Sequence, residues 1–205
     1  MIVRLAHMAV TPRVNGPGRR LTVWVQGCPH RCAGCFNPGL LPPEGGVPVP
    51  PAEWARRALA LEPWDGVTLS GGEPFAQAGG LAACLDELRA RRGRPFTVIA
   101  FTGYTLEELR AGGRERASLL ERIDLLVDGP FRVSEPAGAA LRGSANQRLI
   151  PLTPAGRELA RLAEREGPSG FLISIGPGGT VIVSGFPPAG AVDRLRNALE
   201  TGRAG

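Results

Sequence analysis

Apolar residues along this 205-residue chain come in short runs broken by glycine, proline and charge. Leu21-Thr22-Val23-Trp24-Val25 reads as a strand, rich in β-branched and aromatic residues, and it runs straight into a loop holding three cysteines. Gly66-Val67-Thr68-Leu69-Ser70, Phe96 to Phe101 and Ile123 to Asp128 read as three further strands. Between them the pattern turns helical, over Ala52 to Leu61, over about Gly80 to Arg91, and from Thr105-Leu106-Glu107-Glu108 onward. The last of these opens with a capping box, in which the Thr side chain and the Glu three residues later satisfy free backbone N–H groups. Leu41 to Pro51 is Pro/Gly-rich and reads as a loop. Strands alternating with helices predict an α/β fold with parallel pairing through right-handed crossovers. In such folds the chemistry gathers at the C-terminal ends of the strands. Here those ends carry the cysteines, Ser70-Gly71-Gly72-Glu73, Thr102-Gly103-Tyr104 and Asp128.

Beyond residue 150 the pattern changes. Thr153-Pro154 starts a charged helix to about Glu166, Phe171 to Ile175 and Thr180 to Val183 read as a hairpin, and a last amphipathic helix covers about Ala191 to Leu199. The length suits one domain with a sizeable core. The expected organisation is a core over residues 1–150 with a C-terminal extension over 151–205 packed on it. No catalytic constellation stands out in that extension.

Composition narrows the function. At 43% hydrophobic and 21% charged residues the chain is an ordinary globular one. No apolar run is long enough to cross a bilayer, and the N-terminus lacks the sustained apolar stretch of a secretory signal, so a cytoplasmic location is expected and no membrane partner. The net charge is +5, and all 24 basic residues are Arg. A chain without Lys has no lysine Schiff base and no P-loop lysine. No acidic residue precedes Glu44, whereas Arg4, Arg13, Arg19, Arg20 and Arg31 all do, so the cysteine loop sits in cationic sequence. These arginines are not interleaved with aromatics, and nucleic acid is not an expected partner. Arg31, inside the loop, and Arg13, Arg19 and Arg20 are candidates for positive charge near a bound anionic cluster.

The candidate chemistry centres on Gly27-Cys28-Pro29-His30-Arg31-Cys32-Ala33-Gly34-Cys35-Phe36-Asn37. In a reducing compartment three cysteines so close together point to metal binding rather than disulfides. A C-x3-C-x2-C loop can bind three corners of an iron–sulfur cube and leave the fourth iron open to a ligand. The competing possibility is structural zinc with His30 or Cys84 as fourth ligand, although zinc ligands usually come as two separated pairs. Gly71 and Gly72 allow close backbone approach, and Glu73 can accept from an ammonium group. Asp128 is either an acceptor for ribose hydroxyls or a turn residue before Gly129.

Taken together these pieces resemble the radical S-adenosylmethionine (SAM) superfamily, and within it the activating component of anaerobic ribonucleotide reductase. The family's segments are matched by Val14-Asn15-Gly16-Pro17-Gly18, the Gly27 to Asn37 loop, Leu69 to Pro74, Phe101 to Tyr104, Leu126 to Phe131 and Arg142 to Arg148. The resemblance covers about residues 8 to 150. It implies a partial (β/α)6 barrel in which Cys28, Cys32 and Cys35 ligate a 4Fe–4S cluster and SAM chelates the open iron. It also implies that backbone around Gly34, Cys35 and Phe36 flanks the adenine, that Gly71, Gly72 and Glu73 meet the methionyl amine, with Thr102 nearby, and that Asp128 meets the ribose. Asn146, Gln147 and Arg148 are implied as further contacts. The activity implied is reductive cleavage of SAM to a 5′-deoxyadenosyl radical. That radical would install a glycyl radical on a partner such as anaerobic ribonucleotide reductase, with a flavodoxin- or ferredoxin-type electron donor. A radical SAM enzyme acting directly on a peptide or small molecule is the alternative.

Overall fold

The computed structural model describes residues 1–136, 139–167, 170–175, 181–188 and 190–201. The four predicted strands form its centre: β2 (Arg19–Val25), β4 (Gly66–Gly71), β5 (Thr97–Phe101) and β6 (Leu125–Asp128). They pair in parallel, with Leu21 beside Val67, Val67 beside Val98 and Ala100 beside Leu126. Helices α1 (Pro51–Ala60), α2 (Ala78–Arg92) and the pair α3 (Leu106–Ala111) and α4 (Arg114–Leu120) make the crossovers. α1 begins on a proline, whose missing N–H costs nothing there, and the predicted capping box between Thr105 and Glu108 opens α3.

Three strands were not expected. β1 (Val3–Pro12) pairs antiparallel with β2, β3 (Val47–Val49) pairs antiparallel with β1, and β7 (Arg148–Pro151) pairs antiparallel with β6. The sheet order is β3-β1-β2-β4-β5-β6-β7. The expectation of six β/α units is therefore corrected: among the described residues the sheet holds four parallel strands joined by three helical crossovers. After β6 the chain returns through a loop without a crossover helix, and that connection forces β7 to run the other way.

Strand alternation divides the sheet into two unlike faces. On one, Leu21, Val23, Val25, Val67, Leu69, Val98, Ala100 and Leu126 pack with Trp54, Leu81, Leu85, Leu88 and Leu109 of the crossover helices in the main core. Such residues each contribute roughly 1.5–3 kcal/mol when fully buried. The other face is mixed. Ile99, Leu125 and Val127 pack with Leu159 and Ala163 of α5 (Pro154–Glu166). Toward β2 it becomes polar: buried Arg20 donates to Thr68 Oγ1 (3.1 Å) and Thr97 Oγ1 (2.8 Å), and Thr68 donates to the Asn15 carbonyl (2.9 Å). Asn15 Nδ2 in turn donates to Thr11 and Thr22. The turn before β2 is thus folded onto the sheet.

This placement removes Arg19 and Arg20 from the surroundings of the cysteine loop, because both stand at the start of β2 and the cysteines follow its end. Burial lowers the Arg20 pKa to about 10, against opposing pulls from Asp124 and Asp65. The C-terminal hairpin is present as β8 (Phe171–Ile175) and β9 (Val181–Gly185), followed by α6 (Ala191–Thr201). Thr180, the expected start of its second strand, lies outside the described residues. Among the described residues no helix is long and apolar enough to cross a membrane.

Candidate functional site

The chain leaves β2 at Val25 and turns immediately. Gly27 and Cys28 donate backbone hydrogen bonds to Leu40 and Leu41 (2.8 and 3.1 Å), which close the cysteine loop at its base. β4 ends against that base: Gly72 N–H donates to the Val25 carbonyl (2.7 Å) and Glu73 N–H to the Gly27 carbonyl (2.9 Å). A Cβ on Gly72 would sit 2.2 Å from the Gly27 oxygen, and one on Gly71 2.3 Å from the Val25 nitrogen. The two glycines are therefore required by the junction of β4 with the cysteine loop, a tighter constraint than ligand approach.

That junction aims Glu73 across the strand ends. The residue is 1% exposed. Its Oε1 accepts from Thr102 Oγ1 (2.8 Å) and Phe75 N–H (2.9 Å), and its Oε2 accepts from Gly103 N–H (2.8 Å). His30 Nε2 lies 3.3 Å from Oε2 without a directed hydrogen bond. The His30 ring stands edge-on to Tyr104, with centroids 4.4 Å apart, and Tyr104 is covered by Arg116. Glu73 so ties the ends of β4 and β5 to the cysteine loop.

Cys28, Cys32 and Cys35 are partly exposed free thiols that line one cavity with Phe36, Gly71, Gly72, Glu73, Thr102 and Gln147. Burial pushes the Cys28 and Cys35 thiols up, and backbone N–H groups of His30 and Arg31 toward Cys28, and of Asn37 toward Cys35, pull them back. N–H groups aimed at sulfur are what a thiolate ligand needs. Among the described residues no three Cys, His, Asp or Glu side chains close on one point as ligands of a single ion. Of the two fourth ligands considered for zinc, His30 shares the cavity wall with the cysteines and Cys84 does not. His30 faces Glu73, and Cys84 lies in the main core with its thiol pushed up to about 12 by burial. A loop thiol set beside a largely apolar cavity that also holds the Glu73 carboxylate fits a cluster that keeps one position for a ligand.

Several expected contacts lie elsewhere. Asp128 does not line the cavity. Fully buried, it accepts from Leu106 N–H (2.7 Å) at the start of α3 and from both Nε (2.9 Å) and the terminal nitrogen of Arg148. In this arrangement Asp128 is a clasp joining β6, β7 and α3, and the partners it accepts from lie away from the cavity. Arg148 likewise points outward, shared with Glu107, whose carboxyl it draws down to about 2. Asn146 donates to the Pro130 carbonyl (2.8 Å) behind the cavity. Gln147 does reach the cavity wall, its Oε1 accepting from Gly143 N–H (2.7 Å) and its Nε2 donating to the Gly129 carbonyl (3.0 Å). Gly34, with φ +72°, sits against Val133 outside the wall.

Sequence reasoning named Phe36 and missed the rest of the aromatic lining. Phe36 meets Phe131 at 4.9 Å between centroids and Phe186 at 6.4 Å, and Phe101 meets Phe186 at 6.2 Å. Phe186 comes from the extension, where no local signal marked it. Asn15 and Asn37 were visible only as members of longer segments.

The match to known proteins agrees with this geometry. Residues 14–150 match the model of the 4Fe-4S single cluster domain family. The chain is 35% identical over 150 residues to the anaerobic ribonucleoside-triphosphate reductase-activating protein of Pasteurella multocida (strain Pm70), covering 70% of this chain and 94% of that one. It is 38% identical over 148 residues to the protein of that name in Vibrio cholerae serotype O1, covering 68% and 92%. The Escherichia coli (strain K12) protein of that name is 34% identical over 143 residues, covering 65% and 89%. The chain belongs to this family of activating proteins, within the 4Fe–4S single cluster domain class.

Proposed function

We propose that this chain cleaves SAM reductively at a 4Fe–4S cluster held by Cys28, Cys32 and Cys35, and so installs a glycyl radical on an anaerobic ribonucleoside-triphosphate reductase. The observation that carries this reading is the junction at Gly27 and Gly72, which holds three free thiols and a buried carboxylate on one cavity wall. The chemistry such a cluster supplies when bound is one electron to the sulfonium, breaking the C5′–S bond to give methionine and the 5′-deoxyadenosyl radical. A flavodoxin- or ferredoxin-type donor would supply that electron.

The chain's residues provide orientation. Glu73, held by a hydroxyl and two backbone N–H groups, receives the ammonium of the methionyl group. Gly71 and Gly72 keep the wall beside it free of side chains. Phe36, Phe101 and Phe131 offer ring faces to the base and exclude water from the reacting carbon. Thr102 fixes Glu73 by hydrogen bond and stays inside the wall. We read the sheet as a shortened form of the partial barrel that the family resemblance implies, with residues 1–150 as its core and 151–205 as an extension on the same domain.

The test is anaerobic reconstitution with iron and sulfide, followed by reductant, SAM and the partner reductase. The expected products are 5′-deoxyadenosine and a glycyl-radical doublet in the electron paramagnetic resonance spectrum of the partner, both lost on Cys32→Ala. A small substrate consumed without any partner radical would replace the activase reading with a direct-acting enzyme.

A further inference from the structure

The extension supplies part of the cavity wall that the family match, ending at residue 150, does not include. β9 is fixed there by two asparagines. The Asn37 side chain donates to the Val183 carbonyl (2.9 Å) and accepts from its N–H (3.0 Å), much as a neighbouring strand would. Gly185 N–H donates to Asn15 Oδ1 (3.3 Å). With β9 so placed, Ile182 packs on Trp24 and Leu40. Ser184, two residues on, projects from the same side of the strand. It lines the cavity and is 1% exposed, and among the described residues its hydroxyl has no hydrogen-bond partner. Around the same cavity stand Phe36, Phe101, Phe131 and Phe186.

A buried hydroxyl without a partner is a cost in the free protein, and it calls for a specific explanation. Here the residue forms part of the wall of a cavity that also holds four aromatic rings, and a polar group bound against that wall supplies the explanation. Ring faces with one hydroxyl among them suit a planar heterocycle that carries donors and acceptors on its edge. We infer that Ser184 hydrogen-bonds the nucleoside portion of the ligand bound in this cavity, so that the C-terminal hairpin is a resident part of the binding site. The inference rests on the proposed reading of the cavity as the SAM site.

The test is calorimetric titration of the cluster-loaded protein, kept anaerobic, with SAM and separately with methionine, which lacks the nucleoside. Ser184→Ala is expected to weaken SAM binding about three- to tenfold, the range of one hydrogen bond. Methionine binding should be unchanged. The melting temperature of the ligand-free variant should stay level or rise, since no bond within the protein is lost. Equal SAM affinity in both proteins, a parallel loss of methionine affinity, or a fall in that melting temperature would each overturn the inference while leaving the SAM site intact. A wild-type protein that binds neither compound would instead overturn the cavity's assignment, and the inference with it.

Discussion

Glu73 and Asp128 hold matching posts, each a carboxylate at the C-terminal end of the sheet's parallel strands and each shut off from solvent. Their neighbours set them apart. Glu73 is held by one hydroxyl, two backbone N–H groups and a nearby imidazole, and it lines the cavity. Asp128 is held by a helix amide and the Arg148 guanidinium, away from the cavity. Neutral donors position a negative charge without cancelling it, whereas a guanidinium cancels it. One carboxylate can therefore attract a cationic ligand, and the other fastens three elements together. Position at the rim did not distinguish them; the sign of the nearest partner did.

The largest effect should come from the first of the pair. Glu73→Gln keeps the shape and removes the charge, and it should weaken binding of both SAM and methionine about 10- to 100-fold, as loss of a hydrogen bond to a charged group does. Calorimetry on the cluster-loaded protein reads this directly. An affinity within twofold of wild type would place Glu73 beside Asp128 as a purely structural carboxylate. Asp128→Asn should show the reverse profile. It should lose about 1–2 kcal/mol in urea denaturation, toward the low end for a broken buried pair because Arg148 is half-exposed, with SAM affinity within about twofold. A stable variant that binds SAM poorly would return Asp128 to the ligand site.

The smallest effect lies at the outer edge of the clasp. Arg148 holds the Glu107 carboxyl at about 2, below its ordinary 4.5. A carboxyl depressed in the folded state contributes its stability above about pH 4.5 and loses it as the pH falls toward 2. Glu107→Gln should therefore cost little at neutral pH, because the pair is solvent-exposed, and the gap from wild type should close across that acid range. Urea titrations at several pH values measure it. A gap that stays constant down to pH 2 would remove Glu107 from the clasp.

The same contrast explains what was legible in the sequence. The parallel centre was legible because β2, β4, β5 and β6 are dense apolar runs bounded by glycine. β1 was not: Val3 to Pro12 is only half-buried, and much of its order comes from the neighbouring β2. β3 carries a proline, tolerated because it is an edge strand, and so it looked like loop. β7 is too short to show a period. At the site, the spacing of Cys28, Cys32 and Cys35 and the Gly71-Gly72-Glu73 turn were visible as local patterns. Asp128 was visible only as an ambiguity between ligand and turn, since Arg148, twenty residues on, decides it. The contacts of Asn37 with Val183 span 146 residues and leave no local trace. Arg20 read as a candidate positive charge near the cysteine loop and is instead buried among threonines.

The claim on which the rest depends is that three loop thiols hold a cluster beside a carboxylate that grips its cosubstrate. Its most direct measurement is the electron paramagnetic resonance spectrum of the reconstituted, reduced protein before and after addition of SAM. The account predicts a reduced 4Fe–4S signal whose shape changes with SAM in the wild type, and that keeps its original shape in Glu73→Gln at the same concentration. A wild-type spectrum indifferent to SAM, or purified protein that carries zinc and takes up no iron, would contradict it.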